Sequence, residues 1–239
     1  MGEQLNCSSI FSILGGGMRK SLEKIITVLV AFFLLVISQL PIYYVNYENE
    51  KSNVYGIANK ISINFVILTI LVVMIAIFLG KKRGFYKQVN KTIELRNIFL
   101  ILILVIISVI LNILINKFIV SYNLGIRHNQ IAVDNILGSL LWFGKIFGVA
   151  VLAPVLEESL FRASIYQLFE NDKVSFVVSV LLFTFAHSGY SWTFLAYLPV
   201  SLGMTFIYHR RKILTDSILF HSMFNLLVIY LNYILINIR

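Results

Sequence analysis

The chain has 239 residues, of which 59% are hydrophobic and only 13% are charged, and its formal net charge is +9. Soluble domains are about 45–50% apolar and about 25% charged. A core of this length cannot hide the excess apolar surface from water, so the composition excludes a soluble globular domain and predicts an integral membrane protein. Because the basic residues cluster between apolar stretches, the charge indicates topology and contact with the lipid bilayer, and nucleic-acid binding is not expected.

The N-terminal half contains three long apolar stretches, which run from about Ile25 to Val45, Ile61 to Gly80 and Ile98 to Val120. Each is long enough to cross the ~30 Å hydrocarbon core as a helix. No cleavage site follows the first stretch, so it is predicted to be a retained span and not a signal peptide. Residues 1–24 are therefore predicted to be a cytoplasmic segment and residues 25–120 to form three transmembrane helices.

The C-terminal half begins with a polar loop, which leads into a short interfacial stretch at about Ile136–Phe143. Four further helices are predicted at about 146–169, 174–190, 192–208 and 213–236. The fourth span contains Pro154, which can kink a membrane helix without ending it. The predicted fold class is therefore all-α: a polytopic transmembrane helix bundle of about seven spans plus a short interfacial helix.

The distribution of basic residues orients this bundle. With the N-terminus in the cytoplasm, the segments on that side hold thirteen Lys and Arg residues and those on the other side hold six; Arg162, within the membrane, is left out. Cytoplasmic loops carry an excess of Lys and Arg. We expect a multi-pass protein of a bacterial cell membrane with its N-terminus in the cytoplasm.

Three ionisable residues lie in the middle of the fourth span: Glu157, Glu158 and Arg162. Such a residue at membrane depth costs about 2.5–3.5 kcal/mol on insertion scales. Glu158 and Arg162 are four residues apart, with the acid first, and are predicted to form an ion pair. Glu157 points about 100° away and has no partner on its own helix, which favours a functional role over a structural one. The alternative is that both glutamates merely stabilise the bundle.

Two further polar motifs lie in later spans. His187 is near the end of the fifth span, and Phe183, one turn before it, is predicted to be a wall of a site. His221 and Asn225 are four residues apart in the seventh span, so their side chains project from one face. Two convergent donors suit a developing oxyanion, although they could equally join two helices. At ~1.5 Å per residue, all these residues reach a common depth.

Together these motifs resemble those of the CAAX-protease and bacteriocin-processing (CPBP, or Abi) family of membrane proteases. The motifs are Glu157-Glu158-x-x-x-Arg162, Phe183-x-x-x-His187 and His221-x-x-x-Asn225. The resemblance covers about residues 145 to 230, and residues 145–236 are accordingly predicted to be the catalytic transmembrane core. The family also includes the Ras-converting CAAX endoprotease.

The resemblance implies a role for each motif residue. Glu157 and His187 would bind and activate the water that attacks a peptide carbonyl. His221 and Asn225 would form the oxyanion site, and Glu158 and Arg162 would support it. We therefore expect an intramembrane endopeptidase that hydrolyses a membrane-embedded or membrane-associated peptide or protein precursor. Prenylated proteins, leader-bearing bacteriocins and signalling-peptide precursors all remain open as substrates.

Two alternatives remain beside this interpretation. One is a zinc-dependent version of the same peptidase, with Glu157, His187 and His221 as ligands. The single cysteine, Cys7, excludes a cysteine-based metal site. Because His221 cannot both act as an oxyanion donor and give a lone pair from the same nitrogen to a metal, we expect no cofactor. The other alternative is a non-catalytic bacteriocin-immunity protein that binds a peptide toxin.

Overall fold

In the computed structural model, the chain is described over residues 7–49, 55–124 and 141–237, and these ranges are helical without any β-strand. The seven long helices are α1 Cys7–Asn49, α2 Tyr55–Lys82, α3 Leu95–Ser121, α4 144–168, α5 Asp172–Ser188, α6 Thr193–Arg211 and α7 Leu214–Asn237. A short 3₁₀ helix, Val89–Ile93, precedes α3. The predicted all-α bundle is confirmed, whereas the predicted interfacial helix at 136–143 lies largely outside the described residues.

The first helix is longer than its apolar stretch. It begins at Cys7, well before the predicted start at Ile25. The part of α1 that is long and apolar enough to cross a membrane is Arg19–Leu40. Hydropathy locates only this part, whereas helical hydrogen bonding continues through polar turns, where Arg19 and Glu23 form an i,i+4 ion pair at 3.5 Å. The predicted boundary after residue 24 therefore falls inside one continuous helix.

Four helices in the described ranges contain stretches that could cross a membrane by length and composition. These stretches are Arg19–Leu40, Ile63–Lys82, Leu95–Ser121 and Leu214–Ile234. The remaining helices, α4, α5 and α6, are shorter or more polar. Large apolar side chains point outward from the bundle, as on α1 and α3, which in water would be a strongly unfavourable surface. The chain is therefore a membrane protein.

Ion pairs between different helices mark one end of the bundle, called the basic end here. They are Arg83–Glu23 at 3.7 Å, Lys24–Glu170 at 3.8 Å, Arg211–Glu94 at 3.2 Å and Lys212–Asp172 at 2.9 Å. Such exposed pairs contribute little to stability, typically under about 1 kcal/mol. Their value is positional, because they show that basic residues from distant parts of the sequence lie at the same end.

A buried polar cluster lies just beneath the basic end. Asp216, at the start of α7, is fully buried and accepts a hydrogen bond from Asn97 Nδ2 at 3.2 Å. Arg210 donates to Asn97 Oδ1, and Arg211 Nε lies 3.5 Å from Asp216 Oδ2. The cluster joins the end of α6 and the start of α7 to the start of α3. None of these residues belongs to a motif that the sequence shows.

The fourth helix continues past its proline, as predicted, but its hydrogen-bond pattern changes along its length. Gly144–Leu152 and Ser159–Ser164 are π-helical, whereas Ala153–Glu158 and Ile165–Leu168 are α-helical. Phe169 is extended, and the Asn171 side chain caps the next helix by accepting from the backbone of Lys173 and Val174. Short π segments inside helices occur frequently at functional sites.

Asn225 compensates for the proline. In the π segment, Ala153 N–H donates to the carbonyl of Gly148, five residues earlier. The carbonyl of Val149 would receive the next such bond from Pro154, which has no N–H. Asn225 Nδ2, on α7, donates to that carbonyl at 3.2 Å instead. In a membrane interior a freed carbonyl needs such a partner, so Asn225 joins α7 to α4, which is the structural alternative that the sequence left open for it.

Two glycines allow helices to approach closely. A Cβ at Gly148 would lie 2.1 Å from Phe65 Cε1, and one at Gly203 would lie 2.6 Å from Phe220 Cζ. Both phenylalanines are fully buried, so neither ring can move aside without displacing its neighbours. Small residues at these positions are therefore required for the packing of α4 on α2 and of α6 on α7.

We predict that Gly203→Ala lowers the free energy of unfolding by about 1–3 kcal/mol, the usual cost of overpacking a core. Thermal unfolding of the purified protein in detergent measures the change. The matched control is Leu202→Ala, at the adjacent position of the same helix, which is exposed on the outside of the bundle. Equal melting temperatures for Gly203→Ala and the wild type would show that α6 and α7 are not packed this closely.

Candidate active site

Three helices bring the predicted reactive residues together. Glu157 on α4 places Oε2 3.3 Å from His187 Nε2 on α5 and 3.7 Å from His221 Nε2 on α7. The Glu157 side chain is 15% exposed and that of His187 is 27% exposed, whereas His221 is buried. His187 and part of the Glu157 side chain are therefore accessible, whereas Glu157 Oε2 itself is buried and has no hydrogen-bond partner among the described residues.

The orientation of the His187 ring follows from its backbone contact. His187 Nδ1 lies 2.8 Å from the carbonyl oxygen of Phe183. Because a carbonyl only accepts, Nδ1 must be the donor, and in the neutral ring Nε2 then carries the lone pair. Glu157 Oε2 is also an acceptor when ionised. Two acceptors 3.3 Å apart are favourable only if they share a proton or both accept from a third group, such as water.

The orientation of His221 is fixed in the same way, through Glu158. His221 Nδ1 lies 2.9 Å from Glu158 Oε1, and the other carboxylate oxygen, Oε2, lies 3.1 Å from Arg162 Nε. A carboxylate held by an arginine accepts hydrogen bonds, so His221 Nδ1 donates. His221 therefore directs Nε2 toward Glu157, at a distance too long for a direct hydrogen bond.

The predicted ion pair between Glu158 and Arg162 is present, and both residues are fully buried. Their closest atoms are at ion-pair distance but are not aligned as a hydrogen bond. Within the described residues, Arg162 Nη1 and Nη2 have no hydrogen-bond acceptor. The guanidinium instead lies over the ring of Phe183, 4.4 Å from its centroid, an arrangement that attracts a cation to the ring face.

Phe183, which is predicted to be a wall of the site, packs against both histidines. Its ring stacks on His187 with a centroid distance of 4.0 Å and contacts His221 edge-on at 5.5 Å. Two further aromatic residues near His187 were missed: Phe161, which packs edge-on against Phe183, and Tyr197 on α6, whose ring is 5.5 Å from His187. Phe161 lies four residues after Glu157, so helical spacing alone could have identified it.

Asn225 is turned toward α4 but is not placed against Glu157 or His187. Its amide nitrogen is engaged with the Val149 carbonyl, which lies two turns before Glu157 in the chain. His221, its predicted partner, is held by Glu158 instead. The shared oxyanion role of His221 and Asn225 therefore stays a prediction.

Zinc binding by Glu157, His187 and His221 is the alternative to metal-free chemistry. In the part of the chain that the structure describes, no group of three or more His, Cys, Asp and Glu side chains is arranged to hold a metal ion. Glu157 Oε2 nevertheless lies 3.3 Å from His187 Nε2 and 3.7 Å from His221 Nε2, separations that the ligands of one zinc ion can have. Metal independence therefore stays a prediction.

Comparison with known proteins agrees with the resemblance seen in the motifs. Residues 139–227 match the model of a family described as type II CAAX prenyl endopeptidase Rce1-like. This region contains α4 to most of α7 and all the motif residues. No solved structure is detectably similar to the chain.

Curated relatives come from Lactococcus lactis. UPF0177 protein YajF, from subsp. lactis strain IL1403, is 62% identical over 186 residues, which is 78% of this chain and 92% of the relative. UPF0177 protein YaiF, from the same strain, is 46% identical over 210 residues, or 86% of this chain and 96% of the relative. The chain belongs to the UPF0177 family, and its resemblance to the CPBP family is confirmed.

We predict that Glu158→Ala and Arg162→Ala each destabilise the protein by about 3–5 kcal/mol, because each leaves a buried charge without its partner. Thermal unfolding in detergent measures the loss. The double variant is the informative control: with no charge left buried, it should lose less stability than the sum of the two single losses. Additive losses would indicate that the two side chains do not compensate each other.

Proposed function

We propose that this protein is an intramembrane endopeptidase in which Glu157 and His187 activate a water molecule for peptide-bond hydrolysis. The observation that carries the proposal is the 3.3 Å approach of two acceptor atoms, His187 Nε2 and Glu157 Oε2, the second of which is buried without a hydrogen-bond partner among the described residues. One water molecule beside the two acceptors would bridge them by donating one hydrogen to each. This is the arrangement that general-base activation of water requires.

The mechanism follows from these orientations. Glu157 removes a proton from the water as the oxygen forms a bond to the substrate carbonyl carbon. The resulting tetrahedral intermediate collapses as the C–N bond breaks, and the proton held by Glu157 passes to the leaving amine. His187 keeps its Nδ1–H on the Phe183 carbonyl throughout, so its Nε2 positions the water and does not rotate. No covalent enzyme intermediate forms.

The fixed surroundings support this assignment. Glu158 is committed to Arg162 and His221, so it is not free to act as a second base. Phe183 stacks on His187 and limits motion of its ring. The family described as type II CAAX prenyl endopeptidase Rce1-like supports the reaction class. A membrane-associated peptide or protein precursor is the substrate class that a site within a helix bundle would accept.

We predict that Glu157→Gln lowers the rate of cleavage by at least about a hundredfold, because general-base catalysis contributes at least this factor. The variant protein should stay folded and inserted. Membrane peptides from cells with wild-type and variant protein are compared by mass spectrometry. Glu170→Gln, at an exposed carboxylate outside the site, is the matched control and should behave as wild type.

Cells with the wild-type and Glu157→Gln proteins also distinguish a catalytic function from a binding function. If the peptide profiles of wild type and Glu157→Gln are identical, Glu157 is not the general base. If, in addition, the Gln variant still protects cells against a peptide toxin, the immunity-protein alternative is favoured. Loss of protection in the Gln variant would instead connect immunity to cleavage.

We also predict that activity does not need a tightly held metal. Purified protein is chelated exhaustively, analysed for bound elements, and assayed on a peptide identified from the profiles. Unchanged activity without stoichiometric zinc is expected, because activation of water by Glu157 as a general base needs no metal. Stoichiometric zinc, with activity lost on its removal and regained on its return, would make the metallopeptidase alternative correct.

A further inference from the structure

The second π segment of α4 begins just after the two glutamates and runs over Ser159–Ser164. At its end the Ile165 N–H donates to the carbonyl of Arg162, three residues earlier. In a regular α-helix that N–H would donate to the carbonyl of Phe161 instead. The Phe161 carbonyl therefore lacks its α-helical hydrogen bond, and the residues around it, Phe161 and Arg162, are buried.

A serine on α5 supplies the hydrogen bond that this carbonyl lacks. Ser179 Oγ donates to the Phe161 carbonyl oxygen at 2.6 Å, and Ser179 has no exposed surface. A serine hydroxyl has one hydrogen to donate, so this bond uses its full donor capacity. In a membrane interior a backbone carbonyl without a partner is strongly unfavourable. The carbonyl of Phe161 is thus the second in α4, after that of Val149, that a neighbouring helix satisfies.

The same two helices carry the reactive pair. Phe161 on α4 contacts Ser179 on α5, whereas Glu157, one turn earlier on α4, lies 3.3 Å from His187, about two turns later on α5. The two helices therefore run antiparallel, and the bond of Ser179 lies on the same side of α4 as the reactive pair. A shift of α4 along α5 would change the distance between Glu157 Oε2 and His187 Nε2 directly.

The other contacts between the two helices near this point are ring contacts. Phe161 packs edge-on against Phe183 with a centroid distance of 5.3 Å, and Phe183 stacks on His187. Aromatic pairs are favourable over a wide range of centroid distances, from about 4.5 to 7 Å. A hydrogen bond is restricted to a narrow range of length and angle. Of these contacts, the bond from Ser179 therefore limits sliding of α4 against α5 most strongly.

We propose that Ser179 is a positioning residue of the active site: its hydrogen bond to the Phe161 carbonyl holds α4 against α5 so that Glu157 meets His187. Ser179 is buried about two turns from His187 and acts through the backbone of α4, without touching the reacting atoms. The effect on catalysis rests on the proposed peptidase function. The effect on the relative position of the two helices does not.

Ser201 on α6 provides a matched control. It is also fully buried, and its Oγ donates to a backbone carbonyl of α5, that of Val180, at 3.0 Å. The bond thus joins α6 to α5 by the same chemistry, at the residue next to Ser179, but does not involve α4. Ser201→Ala removes a buried hydrogen bond between helices and leaves the contact of α4 with α5 in place.

Kinetics with a cleaved peptide identified from the membrane-peptide profiles test the role in catalysis. Ser179→Ala should lower kcat by roughly tenfold or more at unchanged KM, because a misplacement of about 1 Å can cost about a hundredfold in rate. Ser179→Cys, which keeps the size of the side chain but is a weaker donor, should be intermediate. Ser201→Ala should keep the kcat of the wild type, although both alanine variants should melt at lower temperatures. Equal kcat values for the two alanine variants would overturn the proposal.

Cross-linking tests the position of the helices without any need for activity. After Cys7→Ser, cysteines are introduced together as Glu157→Cys and His187→Cys and are bridged with a short bifunctional methanethiosulfonate reagent. The yield of cross-linked protein should fall when Ser179→Ala is added and stay the same when Ser201→Ala is added. An unchanged yield with Ser179→Ala would overturn the proposal. A reduced yield in a protein whose wild type cleaves no peptide would contradict the peptidase function and leave the positioning role of Ser179 intact.

Discussion

A fully buried arginine in the middle of a membrane helix is the constraint on which the rest of the site depends. Arg162 cannot reach water, so its charge must be balanced within the bundle. Glu158, one turn earlier, supplies the balancing charge. That carboxylate has a second oxygen, which holds His221 Nδ1. The neutralisation of one charge thus fixes the ring of a histidine on a different helix.

The same constraint gives Glu157 different partners from those of Glu158. Successive residues on a helix point about 100° apart, so Glu157 cannot join the Arg162 pair and instead faces both histidines. Glu158 organises the site from within the bundle, whereas Glu157 borders the accessible space. Phe183 separates Arg162 from His187 by presenting one face to each. The ring of Phe183 thereby links the buried ion pair of Glu158 and Arg162 to His187 through direct packing contacts.

Much of this arrangement could be predicted from the sequence, and the exceptions have physical causes. The apolar stretches and the ion pair of Glu158 with Arg162 follow from helical spacing and membrane energetics, whereas the pairing of Glu157 with His187 was implied by the family resemblance. A helix-joining role for Asn225 was one of two alternatives, but its partner could not be foreseen, because the Val149 carbonyl is freed only when α4 adopts a π pattern around Pro154. The Asp216 cluster was missed because it joins residues over a hundred positions apart. The length of α1 was underestimated because hydropathy does not report helical hydrogen bonds.

The distribution of polarity among the helices explains how such a site can exist in a membrane. The motif residues lie on α4, α5 and α7, and of these helices only α7 contains a stretch that could cross a membrane by its own apolarity. The more polar helices therefore need apolar neighbours, which α1, α2 and α3 provide. Shielded in this way, α4 can tolerate a proline and two π segments, because its freed carbonyl is satisfied by a neighbouring helix and not by lipid. The N-terminal helices carry none of the motif residues. By shielding α4 from lipid, they make its irregular backbone and its charged side chains energetically possible in a membrane.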